Sequence, residues 1–147
     1  MDTNISFEYG VSDVFEKVNR AVSRHASFLR YQDGGSAYDA LAIHVNDRQT
    51  IDDFIADAFR AVLSRFAGDG KYEVSGSAHR LSFYLPDIDE GVLESAEDEI
   101  VRYVSLSATA SWLVYRAFPE YAKVVSTEAE SSLFRIIEFL RTRKYPE

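Results

Sequence analysis

The sequence contains no cysteine, and only three prolines and three histidines occur among its 147 residues. Without cysteine the chain can form neither a disulfide framework nor a thiolate metal site. This absence fits an intracellular protein, because disulfides belong to oxidising compartments. No two histidines are three or four residues apart and no HExxH motif occurs, so the sequence predicts no metal site and no cofactor.

Positive charge is scarce as well. The chain has 16 Lys and Arg against 24 Asp and Glu, a net charge of −8. Recognition of nucleic acid needs clustered Lys and Arg, so we expect no nucleic-acid binding through a broad basic surface. The longest nearly uncharged run, residues 103–115, is too short and too rich in Ser and Thr to span a bilayer.

The first ten residues have neither a basic start nor a long apolar run, so we expect no signal peptide and no membrane association. Apolar residues make up 46% of the chain and aromatic residues 14%, which is typical of a folded domain and not of a disordered one. No repeat or linker divides the sequence. We therefore expect a cytoplasmic protein with a single domain over residues 1–147.

Helical periodicity predicts most of the fold. A first helix is expected after Ser12 as N-cap, with its apolar face running to Leu29 and a stop at residues 33–35. A later helix, capped by Asn46 or Asp47 and ended by Gly68, has the clearest apolar stripe. Its members are Ile51, Phe54, Ile55, Ala58, Phe59, Val62, Leu63 and Phe66.

Two longer helices are predicted in the second half of the chain. The first begins at Asp87 or Asp89, is acidic at its start and apolar towards its end, and runs to about Ala117. The second begins at Pro119, where the missing N–H of proline costs nothing. We expect these two helices to be joined by a hinge at Phe118-Pro119.

Apolar residues alternate with polar ones on both sides of Gly76-Ser77, which predicts an antiparallel hairpin over about residues 71–85. A lone hairpin is marginally stable, so a strand over residues 5–9 is expected to be available for pairing. The predicted fold class is mainly α: a bundle of about four helices with the small hairpin packed at one side.

No set of reactive groups stands out. Residues 87–98 resemble a calcium loop, but the glycine is fifth instead of sixth and the twelfth residue is Asp instead of Glu. An enzyme would need a pocket in which at least two of five candidate groups converge. These groups are His25, His44, His79, Glu97 and Glu128. We predict a non-enzymatic protein with no catalytic residue.

Tyrosines and charges near element ends predict a protein interface, since such tyrosines bury the ring and keep the hydroxyl in water. Seven acids and no base lie within residues 87–99, and the C-terminal end is basic. These segments either meet head to tail between copies or only complement helix dipoles. The predicted interface comprises Tyr31, Tyr38, Tyr84, Asp98, Glu99, Arg141, Arg143, Lys144 and Tyr145.

Residues 108–141 form an apolar-aromatic helix end, a proline turn and a long amphipathic helix. The pattern rests on Trp112, Tyr115, Phe118, Pro119, Tyr121, Ala129 and Leu133. This stretch, about a quarter of the chain, resembles the C-terminal region of prophage-encoded head–tail connector or neck proteins of tailed phages. The resemblance implies a non-enzymatic assembly protein, in the cytoplasm or in a virion, that self-associates into a ring between portal and tail. The alternative is a cellular adaptor or regulatory domain that binds one protein partner.

Overall fold

The computed structural model describes residues 4–30, 35, 38–65 and 70–143. Within these residues the fold is mainly α with a small antiparallel sheet, as the sequence predicts. The elements are β1 (Asn4–Gly10), α1 (Val11–Ala26), α2 (Tyr38–Leu41), α3 (Arg48–Leu63), β2 (Gly70–Ser75), β3 (Ala78–Tyr84), α4 (Leu93–Tyr115) and α5 (Pro119–Arg141). Single turns of 3₁₀ helix, Val45–Asp47 and Glu90–Val92, precede α3 and α4.

The three strands pair in the order β1-β3-β2, and both pairings are antiparallel. One sheet face is buried, with Phe7 of β1 and Phe83 of β3 in edge-to-face contact at 6.3 Å between ring centroids. The other face carries Arg80, which binds Glu8 at 2.6 Å and Glu73 at 3.7 Å. The predicted hairpin and its pairing with the first strand are therefore confirmed.

The two longest helices, α4 and α5, run antiparallel and form the centre of the helical layer. Ser132 of α5 is fully buried and donates its hydroxyl to Glu99 of α4 at 2.9 Å. Near the other end of α4, Trp112 is fully buried and donates its indole N–H to the backbone oxygen of Leu41 at 2.8 Å. This bond ties the short helix α2 to the core.

Several predicted helix boundaries are wrong by a few residues. Ser12 is not the N-cap of α1, because Gly10 takes the extended capping conformation and the helix begins at Val11. The helix ends at Ala26, so Leu29 packs against the core from beyond the helix. The stop predicted at residues 33–35 lies largely outside the described residues, as do Phe66 and Gly68.

The acidic segment begins with a 3₁₀ turn before it becomes α-helix. Asp89 accepts a hydrogen bond from the backbone N–H of Gly91 at 2.9 Å and so caps this turn, and α4 itself starts at Leu93. Asp47 precedes α3 as predicted, but its carboxylate accepts from the N–H of His44 at 2.9 Å and does not cap α3. In both cases the acidic residue stabilises a short turn upstream of the long helix.

Candidate protein-binding groove

A groove of about 680 Å³ runs between α1, α4 and α5. Its apolar lining includes Ala21 from α1 and Val101 and Leu106 from α4. Phe28, just beyond the end of α1, also lines it and is 75% exposed. Together with the apolar lining its ring forms continuous apolar surface, and such continuous patches are typical of interaction sites.

The rim of the groove is basic. Lys17, Arg20 and Arg24 lie three and four residues apart on α1, so they share one helix face, and Arg102 of α4 adds a fourth cation. Two carboxylates, Asp98 and Glu128, line the groove as well. The lining therefore carries an excess of two positive charges on a chain whose net charge is −8.

The four cations of this rim have no partner in the described part of the protein. Lys17, Arg20, Arg24 and Arg102 form neither an ion pair nor a side-chain hydrogen bond there. Most of the other described cations form an ion pair or a side-chain hydrogen bond. Arg48, for example, contacts Asp52 at 3.4 Å, and Arg135 contacts Glu99 at 3.1 Å. Four cations without an ion pair in the described part of the protein thus lie together at the groove, where a bound anion would meet them.

His25 and Tyr121 close one side of the groove. The Nδ1 atom of His25 lies 3.0 Å from the hydroxyl oxygen of Tyr121, and the two rings meet edge to face. Partial burial lowers the pKa of His25 below its ordinary 6.5, and the charge of Arg24 lowers it further, while Glu128 opposes this shift. His25 is therefore uncharged at neutral pH and does not add to the cationic rim.

The groove brings together two of the five groups that an enzyme would need, His25 and Glu128. The nearby hydroxyl of Ser105 donates to the backbone oxygen of Val101 at 2.9 Å, so the histidine does not activate it. Glu97 is exposed and lines a neighbouring depression instead. The arrangement offers charge and apolar surface, and it lacks an activated nucleophile.

The other two histidines lie elsewhere. His79 is 3% exposed and packs against Phe59, with ring centroids 4.9 Å apart and ring planes tilted by 34°. Its Nδ1 atom lies 2.8 Å from the hydroxyl of Tyr72. Burial lowers the pKa of His79, and the negative charge of Asp52 opposes the shift. His44 is exposed before the 3₁₀ turn that leads to α3.

The residues of the predicted interface are spread over the surface. Tyr38 on α2 is 45% exposed, and Tyr84 at the end of β3 is 38% exposed. Asp98 lines the groove. Tyr31, Lys144 and Tyr145 lie outside the described residues. The structure thus places one predicted interface residue, Asp98, in the groove.

Glu99 and the end of α5 have structural contacts of their own. The side chain of Glu99 is 16% exposed and binds Arg135 and Ser132 of α5, so it stabilises the α4–α5 pair. Arg143 donates to the backbone oxygen of Leu140 at 2.7 Å, and its backbone bridges to Ile88. The basic end of α5, which includes the exposed Arg141, therefore lies beside the start of the acidic segment.

Sequence reasoning missed the groove, although one signal was present. The spacing of Lys17, Arg20 and Arg24 places three cations on a single face of a predicted helix. Arg102 carries no such signal, because it follows a run of acids on another helix. Its position in the groove depends on α4 lying beside α1, which local sequence does not show.

The chain matches no protein-family model, no curated protein and no solved structure. Among the described helices, none combines the length and the apolar character that a bilayer crossing requires. Within the same residues, no three His, Cys, Asp or Glu side chains are grouped so that they could hold a metal ion.

Proposed function

We propose that this chain is a non-enzymatic protein-binding domain, and that the groove between α1, α4 and α5 receives an acidic, partly apolar segment of a protein. The observation that carries this proposal is the set of four cations, Lys17, Arg20, Arg24 and Arg102, which surround an apolar lining and have no ion-pair partner among the described residues. Such cations lose nothing inside the protein when they bind a carboxylate from outside.

The chemistry of the groove fits a protein segment. Arginine and aromatic residues are enriched in protein interfaces, and the groove presents three arginines together with Phe28 and Tyr121. Phe28 is the exposed aromatic that an apolar residue of the partner would cover. Rim charges chiefly steer association and set specificity, so we expect binding that weakens with salt.

The resemblance of residues 108–141 to head–tail connector proteins supports a particular form of this proposal. In that form the protein is an assembly component whose partners include further copies of itself, as in a ring. The alternative form is a cellular adaptor or regulatory domain with a single different partner. Light scattering at rising concentration separates them: growth in mass favours assembly, whereas a monomer that forms a stable heterodimer favours an adaptor.

The proposed binding can be tested with two fluorescent synthetic helices of the same length. One carries Glu and Leu along one face, and the other carries Lys in place of Glu. We expect fluorescence anisotropy to show binding of the acidic helix only. The double variant Arg24→Glu/Arg102→Glu should weaken this binding by about tenfold or more, because each reversal replaces an attraction by a repulsion.

The matched control is Arg141→Glu, which reverses the same charge at the exposed end of α5, outside the groove. This control should bind the acidic helix like the unmodified protein. Equal binding of both helices, or equal losses in the groove variant and the control, would show that the groove does not recognise acidic segments.

A further inference from the structure

The groove continues into a smaller depression towards the start of α1. This depression has a volume of about 240 Å³ and shares Lys17, Asp98 and Val101 with the groove. Its carboxylates are those of Glu8, Asp13, Glu97 and Asp98. Glu8 is held by Arg80, whereas the other three form no ion pair within the residues that the structure describes.

Helices α1 and α4 run in the same direction across this surface. Tyr9, just before α1, donates to the backbone oxygen of Glu97 near the start of α4 at 2.9 Å. His25, near the end of α1, reaches Tyr121, which follows α4 in the chain. The acidic groups therefore lie at the start of both helices, and the basic groups lie further along both.

The separation of the two charges is large enough to define two halves of one face. At a rise of 1.5 Å per residue, Asp13 and Arg24 are about 16 Å apart along α1. On α4 the same order is repeated, with Glu97 before Arg102. We call this surface of α1 and α4 the bipolar face, with an acidic half at Asp13 and Glu97 and a basic half at Arg24 and Arg102.

We propose that the bipolar face pairs with the bipolar face of a second copy around a two-fold axis, so that the acidic half of each copy lies against the basic half of the other. This inference rests on the proposed function, because it names a second copy as the source of the acidic segment. A two-fold interface uses the same patch twice and must be self-complementary. A face with one sign at each end satisfies that condition, whereas a face of a single sign would repel its copy.

The size of the face is sufficient for such a pairing. A standard interface buries about 800 Å² on each partner. The described chain has a surface of 8645 Å², so the interface would occupy about a tenth of it. Helix α1 has 16 residues and is about 24 Å long, and α4 lies beside it. Val101, which is partly exposed, lies between the charged halves on α4 and provides apolar contact near the axis.

The test uses two charge-reversed variants of the full chain. One is Arg20→Glu/Arg24→Glu, whose bipolar face becomes mainly acidic although Arg102 remains, and the other is Glu97→Lys/Asp98→Lys, whose face becomes mainly basic although Asp13 remains. All four positions are exposed, so both variants should fold, which circular dichroism and a thermal melt would establish. Sedimentation velocity over a range of concentrations then gives the mass of each variant alone and of their equimolar mixture.

We expect the unmodified protein to form a dimer as its concentration rises and each variant alone to require at least about tenfold higher concentration. The mixture should restore a dimer that contains one copy of each variant. Exposed reversals on α5, Glu138→Lys and Arg141→Glu, should leave the dimer unchanged. Dimerisation of the unmodified protein should also weaken as salt rises.

Four results would overturn the inference. A dimer that both variants form as readily as the unmodified protein would use another surface. Growth in mass beyond the dimer would exclude a closed two-fold pair. A protein that stays monomeric but binds the acidic synthetic helix would keep the proposed function and reject the second copy as its partner. If it neither dimerises nor binds that helix, the proposed function fails as well.

Discussion

The backbone N–H of Phe118 donates to the carbonyl oxygen of Leu113 across 2.8 Å, over the break between α4 and α5. The N–H of Ala117 donates to Val114 at 3.1 Å. Together these bonds form a Schellman motif, which satisfies the last carbonyl groups of a helix and ends it. Ala117 has a φ of 69°, the left-handed region in which this motif normally uses glycine.

The alanine in this motif predicts a stabilising substitution. The left-handed conformation costs an L-residue about 1–2 kcal/mol, and glycine avoids that cost but loses more entropy on folding. We therefore expect Ala117→Gly to raise the free energy of unfolding by about 0.5–1 kcal/mol, measured by urea denaturation. The comparison variant Ala56→Gly, inside α3, should lower it by about 1 kcal/mol. A loss of stability in both variants would contradict the strain at Ala117.

Two substitutions of Trp112 separate the contribution of its buried volume to stability from that of its hydrogen bond. Trp112→Ala should cost about 3–5 kcal/mol, because the side chain is fully buried and a large cavity replaces it. Trp112→Phe keeps part of the apolar volume and removes the hydrogen bond to Leu41, so its cost should be smaller. A thermal melt of both variants measures the difference. Val114→Ala, at a position 58% exposed on the same helix, is the control and should change little. If the melting temperature of Trp112→Ala equals that of the unmodified protein within error, the predicted contribution of Trp112 to stability is wrong.

His79 predicts how stability depends on pH. Its pKa is lower in the folded protein than its ordinary 6.5, mainly because it is buried, while Asp52 of α3 opposes the shift. Below about pH 6.5 the unfolded chain therefore binds a proton that the folded protein does not. The free energy of unfolding therefore decreases as the pH is lowered. The loss continues until the pH reaches the folded pKa and amounts to at most about 1.4 kcal/mol per pH unit.

Urea denaturation at about pH 7.5 and about pH 5 tests this dependence. His79→Phe keeps a ring against Phe59 and removes the titrating group, so it should reduce the loss between the two pH values. His25→Gln is the comparison, because burial lowers the pKa of His25 as well, although that side chain is only half-buried. An identical pH dependence in His79→Phe and the unmodified protein would show that His79 does not contribute.

A substitution of Gly76 in the hairpin turn should lower stability through backbone conformation alone. Gly76 has a φ of 59°, and a Cβ added there would meet nothing within 4 Å. Gly76→Ala should therefore destabilise the protein by about 1–2 kcal/mol through backbone strain alone. Ser77→Ala in the same turn should have little effect, since the Ser77 side chain is exposed. Chemical denaturation of the two variants side by side provides the measurement, and equal stability would exclude strain at Gly76.

The elements that the sequence predicts well share a strong local pattern. Alternation along residues 79–83 identifies β3, because one face of the sheet is buried and the other is in water. Pro119 identifies the start of α5, because its lack of an N–H is harmless at the first position of a helix. Both signals are contained within a few residues, so no tertiary contact is needed to read them.

The predictions that failed depend on backbone conformation more than on residue type. Ser12 is a favourable capping residue, yet the chain caps α1 at Gly10, which directly continues from β1. The helix predicted to run to about Ala117 ends at Tyr115, and Ala117 takes a left-handed conformation that its residue type does not indicate. Here the pairing of β1 and the packing of α4 on α5 fix the backbone, and the local preference is overruled.

The amino-acid sequence by itself determined which segments become helices or strands and which of their faces are buried, because apolar periodicity acts over neighbouring residues. Only the tertiary structure decided that Arg102 joins Lys17, Arg20 and Arg24 around one groove, with acids at its far end. That convergence requires α1 and α4 to lie side by side in the same direction. Their arrangement depends on contacts between residues far apart in the chain, such as the bond from Tyr9 to Glu97.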